Sequence, residues 1–283
     1  MRLNLLATVS ANFKFQRVNQ FDNVRRYSAV VNSAAPFVKR TGSNHDVALV
    51  SLVSRSSKVL KRSSLQELAE TLADLQNDKT VGAIILTGTE DGFCAGTNFD
   101  VNTSAESIDL LEDRLRSISK PVIAAVNGYA FNFGFELAMM CDFIYAEEGA
   151  KFALKYISMG TIPRSGGSQR LPRTIGKSKA MELILTGCEI STTEAQRIGI
   201  VRKVFSGSKQ LLEESVKTGA KLATYSQLIS QISKECVNTA LESTLREGIR
   251  FEKLMANATF ATDDWKEGAA AFMQKRPPIF KHQ

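Results

Sequence analysis

The sequence has few of the residues on which many enzyme active sites depend. Two of its 283 residues are histidine, His45 and His282, and both stand near the ends of the expected folded body. A Ser-His-Asp triad or a histidine-rich metal centre needs an imidazole inside that body. We therefore expect neither kind of site, and no metal ligand is predicted.

Cysteines are also scarce. The four of them, Cys94, Cys141, Cys188 and Cys236, are widely separated and form no CxxC pair. Disulfide frameworks and zinc centres need paired or clustered cysteines, so free thiols in a reducing compartment are expected. No apolar run is long enough to cross a bilayer, which predicts a chain without a membrane span.

Excess positive charge is confined to the N-terminus. Residues 1–40 contain seven basic residues and one acid, Asp22, which leaves six of the seven net positive charges there. A segment that is basic, poor in acids and contains serine is typical of a mitochondrial transit peptide. We predict a transit peptide over 1–27, a linker over 28–45 and a location in the mitochondrial matrix. A disordered basic tail is the alternative.

The body that remains is almost neutral. A nucleic-acid backbone is bound through concentrated lysine and arginine, and removal of the leader would remove that concentration. No nucleic-acid partner is therefore predicted.

Continuously apolar segments alternate with amphipathic helices in the first half of the chain. Strands are predicted at 47–53, 81–87 and 121–126. One helix follows a cap at Ser63 or Ser64, and another covers 104–118 with an apolar stripe. Buried strands that alternate with helices predict parallel pairing with right-handed crossovers.

From Gly166 onward the pattern is mainly helical. Helices are predicted at 177–185, 192–198 and 209–223, with one long helix at about 226–259 and a last helix at 263–275. We predict a core at 46–205 and a C-terminal helical lobe at 206–283.

Seven short motifs occur in order through this body: VGAIILTG (81–88), FCAG (93–96), NGYA (127–130), ELAMMCD (136–142), GTIP (160–163), ILTG (184–187) and FATDD (260–264). Together they resemble the enoyl-CoA hydratase (crotonase) family over residues 45–282, with the mitochondrial short-chain branch as the nearest likeness. The resemblance implies an α/β fold, a crotonase-like spiral of ββα units with a C-terminal helical trimerisation region, assembled as a homotrimer or hexamer.

The resemblance also implies the chemistry of the site. Family members stabilise the enolate of an acyl-CoA thioester with two backbone N–H groups. By position these belong to Thr97 and Phe133. No cofactor is implied, since the CoA is part of the substrate. Further substrate or CoA contacts are implied at Ala95, Gly96, Gly134 and Lys275.

Hydration in this family uses two carboxylates, and this chain has one of them. Glu136 is the first, and its apolar neighbours predict a buried carboxyl with a raised pKa. Tyr156 occupies the position of the second. A phenol with an ordinary pKa of about 10 is a poor base at neutral pH. The catalytic pair is thus predicted to be Glu136 and Tyr156, in a degenerate site.

Other departures surround this pair. The family's three-glycine turn reads Asn132-Phe133-Gly134, which predicts backbone strain at Phe133. The rings of Phe131, Phe133 and Phe135 either narrow the acyl pocket or pack the core.

Two cations near the pair also have open interpretations. Arg164 pairs either with another anionic group or with Glu136. Lys155 either is exposed or lowers the pKa of Tyr156.

Two functions are left open by the residues. The first is an enoyl-CoA hydratase-like enzyme of mitochondrial fatty-acid β-oxidation, which adds water to a 2-enoyl-CoA. The second is a catalytically impaired relative that binds acyl-CoA or partners an active subunit. An RNA-binding relative is disfavoured by the neutral body.

Overall fold

The computed structural model describes residues 36–52, 59–89, 92–97 and 105–282. The predicted transit peptide lies outside these ranges. In chain order the elements are β1 (Phe37–Thr41), β2 (Val47–Ser51), α1 (Arg62–Asn77), β3 (Ala83–Thr87), α2 (Ala105–Ser117), β4 (Val122–Val126), β5 (Tyr129–Phe131), α3 (Phe133–Met140), β6 (Phe143–Glu147), β7 (Lys151–Ala153), a 3-10 helix (Lys155–Met159), α4 (Gly167–Ile175), α5 (Lys177–Thr186), β8 (Ile190–Ser191), α6 (Thr192–Arg197), β9 (Val201–Phe205), α7 (Ser208–Ala223), α8 (Gln227–Glu242), α9 (Leu245–Thr259) and α10 (Asp263–Met273).

Two sheets organise the core. The larger has the strand order β1-β2-β3-β4-β6-β9, and the smaller has the order β5-β7-β8. Pairing from β2 through β9 in the larger sheet is parallel, as predicted. Every residue of β2, β3 and β4 is buried, because both faces of these strands are covered.

The predicted linker needs a correction at its C-terminal part. Residues 37–41, placed in the linker over 28–45, form β1, which pairs antiparallel with β2. All five residues of β1 are only partly buried, and the strand lies at the edge of the sheet. Lys39 and Arg40 suit an edge position, where charged side chains discourage pairing with another chain.

The predicted helical lobe also needs correction at both of its early helices. α7 packs against strands of the large sheet and buries Leu211, Ser215 and Gly219, so it belongs to the core. The long helix predicted at 226–259 is two helices, α8 and α9. The break occurs because Thr244 caps α9, its side chain accepting a hydrogen bond from the Glu247 N–H. Thr-x-x-Glu is a capping-box sequence that this helix assignment overlooked.

The cap predicted for α1 is wrong. The helix begins at Arg62 with Lys61 at the N-cap position, and no side chain caps it there. Its predicted apolar stripe is confirmed, since Leu65, Leu68, Ala69, Leu72 and Leu75 are all buried. Within the described residues, no helix combines the length and apolar character that a membrane span needs.

A buried aspartate joins the C-terminal segment to the start of α8. Asp264 is 2% exposed, and its Oδ2 accepts a hydrogen bond of 2.6 Å from the Ser226 hydroxyl. Its Oδ1 accepts the backbone N–H groups of Lys281 at 2.7 Å and His282 at 3.1 Å. Ser226 is itself the cap of α8. One carboxylate therefore holds three chain segments together.

We expect Asp264→Ala to lower the free energy of unfolding by about 2–5 kcal/mol, because hydrogen bonds to a charged group contribute about 1.5–3 kcal/mol each and are partly redundant. Urea denaturation followed by circular dichroism measures the loss. Asp263→Ala is the matched control, since the Asp263 side chain is 64% exposed and pairs only with Lys266 among the described side chains. Equal stability of the two variants would contradict this account of Asp264.

Candidate active site

Glu136 lies in the first turn of α3, inside the protein. The helix is buried from Phe133 to Ala138, and Glu136 has no exposed surface. This confirms the prediction of a buried carboxyl. α3 follows directly on β5, which leaves the end of β4 through the Asn127-Gly128 turn. The sheet thus positions the Glu136 carboxylate near the point where β4 ends.

Three donors hold the Glu136 carboxylate. Its Oε1 accepts the backbone N–H groups of Ser165 and Gly167, both at 2.8 Å. Its Oε2 accepts a hydrogen bond of 2.5 Å from the Tyr156 hydroxyl. Gly167 is the first residue of α4, so the carboxylate lies at a helix N-terminus, where the helix dipole favours negative charge. A Cβ at Gly167 would lie 2.9 Å from Oε1, and glycine permits this approach.

Burial and hydrogen bonding act on Glu136 in opposite directions. Removal from water raises the pKa of its carboxyl, and the Tyr156 hydroxyl and the two N–H groups reduce that rise by stabilising the charged form. Burial also raises the pKa of Tyr156, and the negative charge of Glu136 raises it further. The phenol therefore stays neutral and serves as a hydrogen-bond donor.

Neither predicted cation acts on this pair. The Lys155 ammonium binds Glu189 Oε1 at 2.7 Å and lies 4.5 Å from the centre of the Phe131 ring. The pKa of Tyr156 is raised, so the interpretation in which Lys155 lowers it is wrong. Arg164 pairs with Asp109 across 3.7 Å and is half exposed. Of the two predicted partners of Arg164, another anionic group or Glu136, the structure shows the first, and that group is Asp109.

The predicted N–H donors, Thr97 and Phe133, belong to neighbouring segments. The Phe131 N–H donates to Cys94 O at 2.9 Å, which ties β5 to the segment that ends at Thr97. A Cβ on Gly134 would lie 2.2 Å from Cys94 O, so only glycine allows the start of α3 to approach that segment. Across the described backbone, the N–H groups of Thr97 and Phe133 have no acceptor.

Comparisons with known proteins identify the fold. A family model for enoyl-CoA hydratase/isomerase matches residues 42–283. A mitochondrial enoyl-CoA hydratase from Pongo abelii is 43% identical over 267 residues, which cover 92% of each chain. A 2,3-dehydroadipyl-CoA hydratase from Escherichia coli is 36% identical over 229 residues, covering 78% of this chain and 89% of that one.

The chain belongs to the enoyl-CoA hydratase/isomerase family. A crystal structure of an enoyl-CoA hydratase from Bacillus anthracis superposes with a TM-score of 0.82 at 31% identity, covering 88% of this chain and 99% of that one. The predicted crotonase-like α/β fold is confirmed. The mitochondrial relative agrees with the predicted mitochondrial location.

Backbone strain occurs one residue earlier than predicted for this family's turn. Asn132 has φ 48° and ψ −119°, whereas Phe133 begins α3 without a positive φ. A non-glycine residue in that region costs about 1–3 kcal/mol. The side chain of Asn132 compensates, because its Oδ1 accepts the Lys155 N–H at 2.7 Å. The strained residue therefore links the N–H donors to the helix that bears Tyr156.

The phenylalanines near the turn have packing partners. Phe135 lies 5.4 Å from the Phe152 ring, and Phe131 stacks on Tyr129 at the same centroid distance. The core-packing interpretation is therefore supported for Phe135, whereas Phe131 is half-buried and is not part of the buried core. Phe133 is 2% exposed and belongs to the hydrophobic core.

The remaining predicted contacts are spread more widely. Ala95 is partly exposed, and Gly96 is buried with φ 138°. Gly134 lies in α3, and Lys275 is exposed just after α10. These assignments stay predictions. Among the described residues, no group of three or more histidine, cysteine, aspartate or glutamate side chains could hold a metal ion.

Sequence reasoning missed Ser165 and Gly167, whose N–H groups bind Glu136 Oε1, and assigned no role to Asn132 or Glu112. Glu112 lies on α2, four residues after the buried Ile108 and beside the buried Leu111. That spacing places it at the margin of the predicted apolar stripe, and this was the signal that could have identified it.

Tyr156→Phe should cost more stability at neutral pH than in acid. A raised carboxyl pKa makes stability fall as pH rises from the ordinary value of 4.5 towards the higher folded value. Loss of the phenol donor raises the folded pKa of Glu136 further and deepens that fall. Urea unfolding should show a loss of about 1–3 kcal/mol at pH 7.5 and a smaller one near pH 4.

The control is Tyr145→Phe. The Tyr145 hydroxyl lies 3.4 Å from the Thr218 hydroxyl and contacts no described carboxylate, so its small effect should not change with pH. The same loss at both pH values in Tyr156→Phe would disprove the coupling to Glu136 ionisation.

Proposed function

We propose that this protein adds water to the double bond of a 2-enoyl-CoA thioester in the mitochondrial matrix, as part of fatty-acid β-oxidation. The observation that carries the proposal is the buried Glu136 carboxylate at the N-terminus of α4. Beside it stand two backbone N–H groups without a described acceptor, those of Thr97 and Phe133. A proton-transfer group next to a pair of oxyanion donors suits addition to a thioester-activated double bond.

In this proposal the thioester oxygen accepts the N–H groups of Thr97 and Phe133. Negative charge collects on that oxygen as the enolate forms, and each such donor is worth about 3 kcal/mol of transition-state stabilisation. The close contact of Gly134 with Cys94 O keeps the two donors in place before the substrate arrives.

The remaining substrate contacts follow from the same placement. Ala95, Gly96 and Gly134 line the thioester, and Lys275 meets the CoA phosphates. No cofactor beyond the CoA of the substrate takes part.

Tyr156 acts as a positioning residue in this scheme. Its hydroxyl fixes the orientation of the Glu136 carboxyl at 2.5 Å and stays protonated, since burial raises its pKa. A neutral phenol does not remove a proton from water at neutral pH.

A second function is favoured by the same contact. The Tyr156 hydroxyl occupies one side of Glu136 Oε2, at the position where the family has its second carboxylate. A catalytically impaired protein that binds acyl-CoA, or that partners an active subunit, would have this arrangement. Loss of one general acid or base lowers rates by about 10²–10⁴.

Hydration of 2-butenoyl-CoA by the purified full chain separates the two functions. We expect turnover in the parent, followed through the loss of ultraviolet absorbance of the conjugated thioester. Glu136→Gln should lower kcat by about 10²–10⁴, because the amide keeps the shape of the side chain and loses its proton transfer.

Glu148→Gln is the matched control, since Glu148 is exposed and only its backbone N–H has a described partner. A parent at the rate of buffer, together with stabilisation of the fold by acyl-CoA, would replace the hydratase assignment with the binding function.

We also propose that the chain assembles as a homotrimer, or a hexamer of two trimers, through its C-terminal helices. α8 and α9 bury no residue, although both are amphipathic in sequence. Large apolar side chains are exposed along this region: Val237, Leu241, Leu245, Leu254, Phe260, Phe272, Met273 and Ile279. An apolar surface of this extent on several adjoining helices is typical of a protein interface.

Light scattering after size-exclusion chromatography measures the assembly. The parent should have three or six times the chain mass of 31.1 kDa before any processing. Leu245→Lys should shift the population towards monomer, because Leu245 is 81% exposed in the single chain. Leu110→Lys, on α2, is the control and should leave the mass unchanged. A monomeric parent would refute the assembly.

A further inference from the structure

A second glutamate borders the site and has an unsatisfied oxygen. Glu112 lies on α2, which packs against α3. Its Oε1 is buried and has no hydrogen-bond partner in the described part of the chain. A buried acceptor without a partner costs about 1–3 kcal/mol, so the position of such an atom beside a candidate site needs an explanation.

The position of Glu112 relative to Glu136 follows from the residues around it. Glu112 lines a groove of about 1620 Å³ together with Met139, Met140, Pro163 and Gly166. Met139 and Met140 lie three and four residues after Glu136, on the same side of α3. Gly166 precedes the residue whose N–H holds Glu136 Oε1. The groove therefore reaches residues one turn after Glu136 and residues on both sides of Ser165, while Glu136 itself is not among its lining residues.

Electrostatic coupling agrees with this placement. The negative charge of Glu112 contributes to the raised pKa of Glu136 and to that of Tyr156. Burial is the larger cause in both cases.

Ser165 provides a second unsatisfied oxygen at the same place. Its side chain is 1% exposed, and its Oγ has no partner among the described residues. Its own backbone N–H donates to Glu136 Oε1 at 2.8 Å. The Glu136–Tyr156 pair is thus accompanied by two buried oxygen atoms, one from Glu112 and one from Ser165, with unused hydrogen-bonding capacity.

We propose that Glu112 is the second carboxylate of the hydration reaction, replacing the one that is absent at position 156. This inference rests on the proposed hydratase function. A water molecule between Glu112 Oε1 and the Glu136 carboxyl, with Ser165 Oγ as a further partner, has the two acid–base groups that the addition needs.

The protons and electrons balance in this scheme. Glu112 takes one proton from the water while the water oxygen bonds to the β carbon of the enoyl group. The electron pair of the double bond moves to the thioester oxygen, held by the Thr97 and Phe133 N–H groups. Glu136, protonated in the starting state, then gives its proton to the α carbon, and the enolate returns to a thioester. Transfer of the water proton from Glu112 to Glu136 restores the starting state.

Other acids near Glu112 are less suited to this role. Asp109, on the same helix, is paired with Arg164. The Asp113 side chain is 71% exposed and contacts Arg116. The phenol of Tyr156 is held neutral by its raised pKa.

Glu112→Gln tests the inference, with Asp113→Asn as the matched control on the same helix. In the 2-butenoyl-CoA assay, we expect Glu112→Gln to lower kcat by about 10²–10⁴ with KM changed no more than a few-fold. One limb of the pH profile of kcat/KM should also be lost. The unfolding temperature should be equal or higher, because a partly buried charge whose Oε1 lacks a described partner is removed. Asp113→Asn should match the parent in every measurement.

The outcomes separate the two proposals. An active parent, an inactive Glu136→Gln and a fully active Glu112→Gln would overturn the role of Glu112 and leave the hydratase function standing. A parent without turnover would overturn both. A fall in kcat accompanied by an equal loss of folded protein, with the pH profile unchanged, would show a structural role for Glu112 and also overturn the inference.

Discussion

The carboxylate of Glu136 is the group on which the rest of the site depends. A fully buried carboxyl is costly unless it is hydrogen-bonded, and here two backbone N–H groups and one phenol meet that need. Each donor comes from a different part of the chain: the turn before α4, the first residue of α4, and the 3-10 helix. The carboxylate therefore fixes these segments relative to α3, and the same contacts set its proton affinity. One side chain, Glu136, therefore both joins these segments and carries the proton affinity that they set.

Close backbone contact builds the other half of the site. Gly134 brings the start of α3 against Cys94 O, and the Asn132 side chain binds the N–H of Lys155, which precedes Tyr156. The strained backbone of Asn132 persists because neighbouring hydrogen bonds determine it on both sides. A substituted glycine turn is thus kept in working geometry by a side-chain contact that a glycine could not make. The replacement of glycine by Asn132 and Phe133 changes the local interactions. It leaves the N–H groups of Thr97 and Phe133 without an acceptor in the described part of the chain.

In the proposed hydratase, a tyrosine at position 156 alters what Glu136 can do. A phenol at 2.5 Å stabilises the charged carboxylate and gives it a fixed orientation. The same phenol adds no base, so the reaction needs another acceptor for the water proton. Glu112 lies on a helix that packs against α3, and its buried Oε1, which has no partner among the described residues, distinguishes it from the solvated Asp113 beside it. In the proposal, the second carboxylate of the reaction is therefore supplied by α2 instead of the 3-10 helix.

The sequence by itself determined the family, the parallel α/β core and the burial of Glu136, because apolar strand runs and ordered short motifs are local properties of the chain. It also placed a tyrosine where the family resemblance implies the second carboxylate. Tertiary structure alone decided the partners. Residues distant in sequence meet in the 2.5 Å contact between Tyr156 and Glu136 and in the pairing of Arg164 with Asp109. The strain at Asn132 and the unsatisfied oxygen of Glu112 likewise result from the packing around each residue. Such contacts depend on how helices and turns pack around a buried charge, and neither residue spacing nor composition specifies that packing.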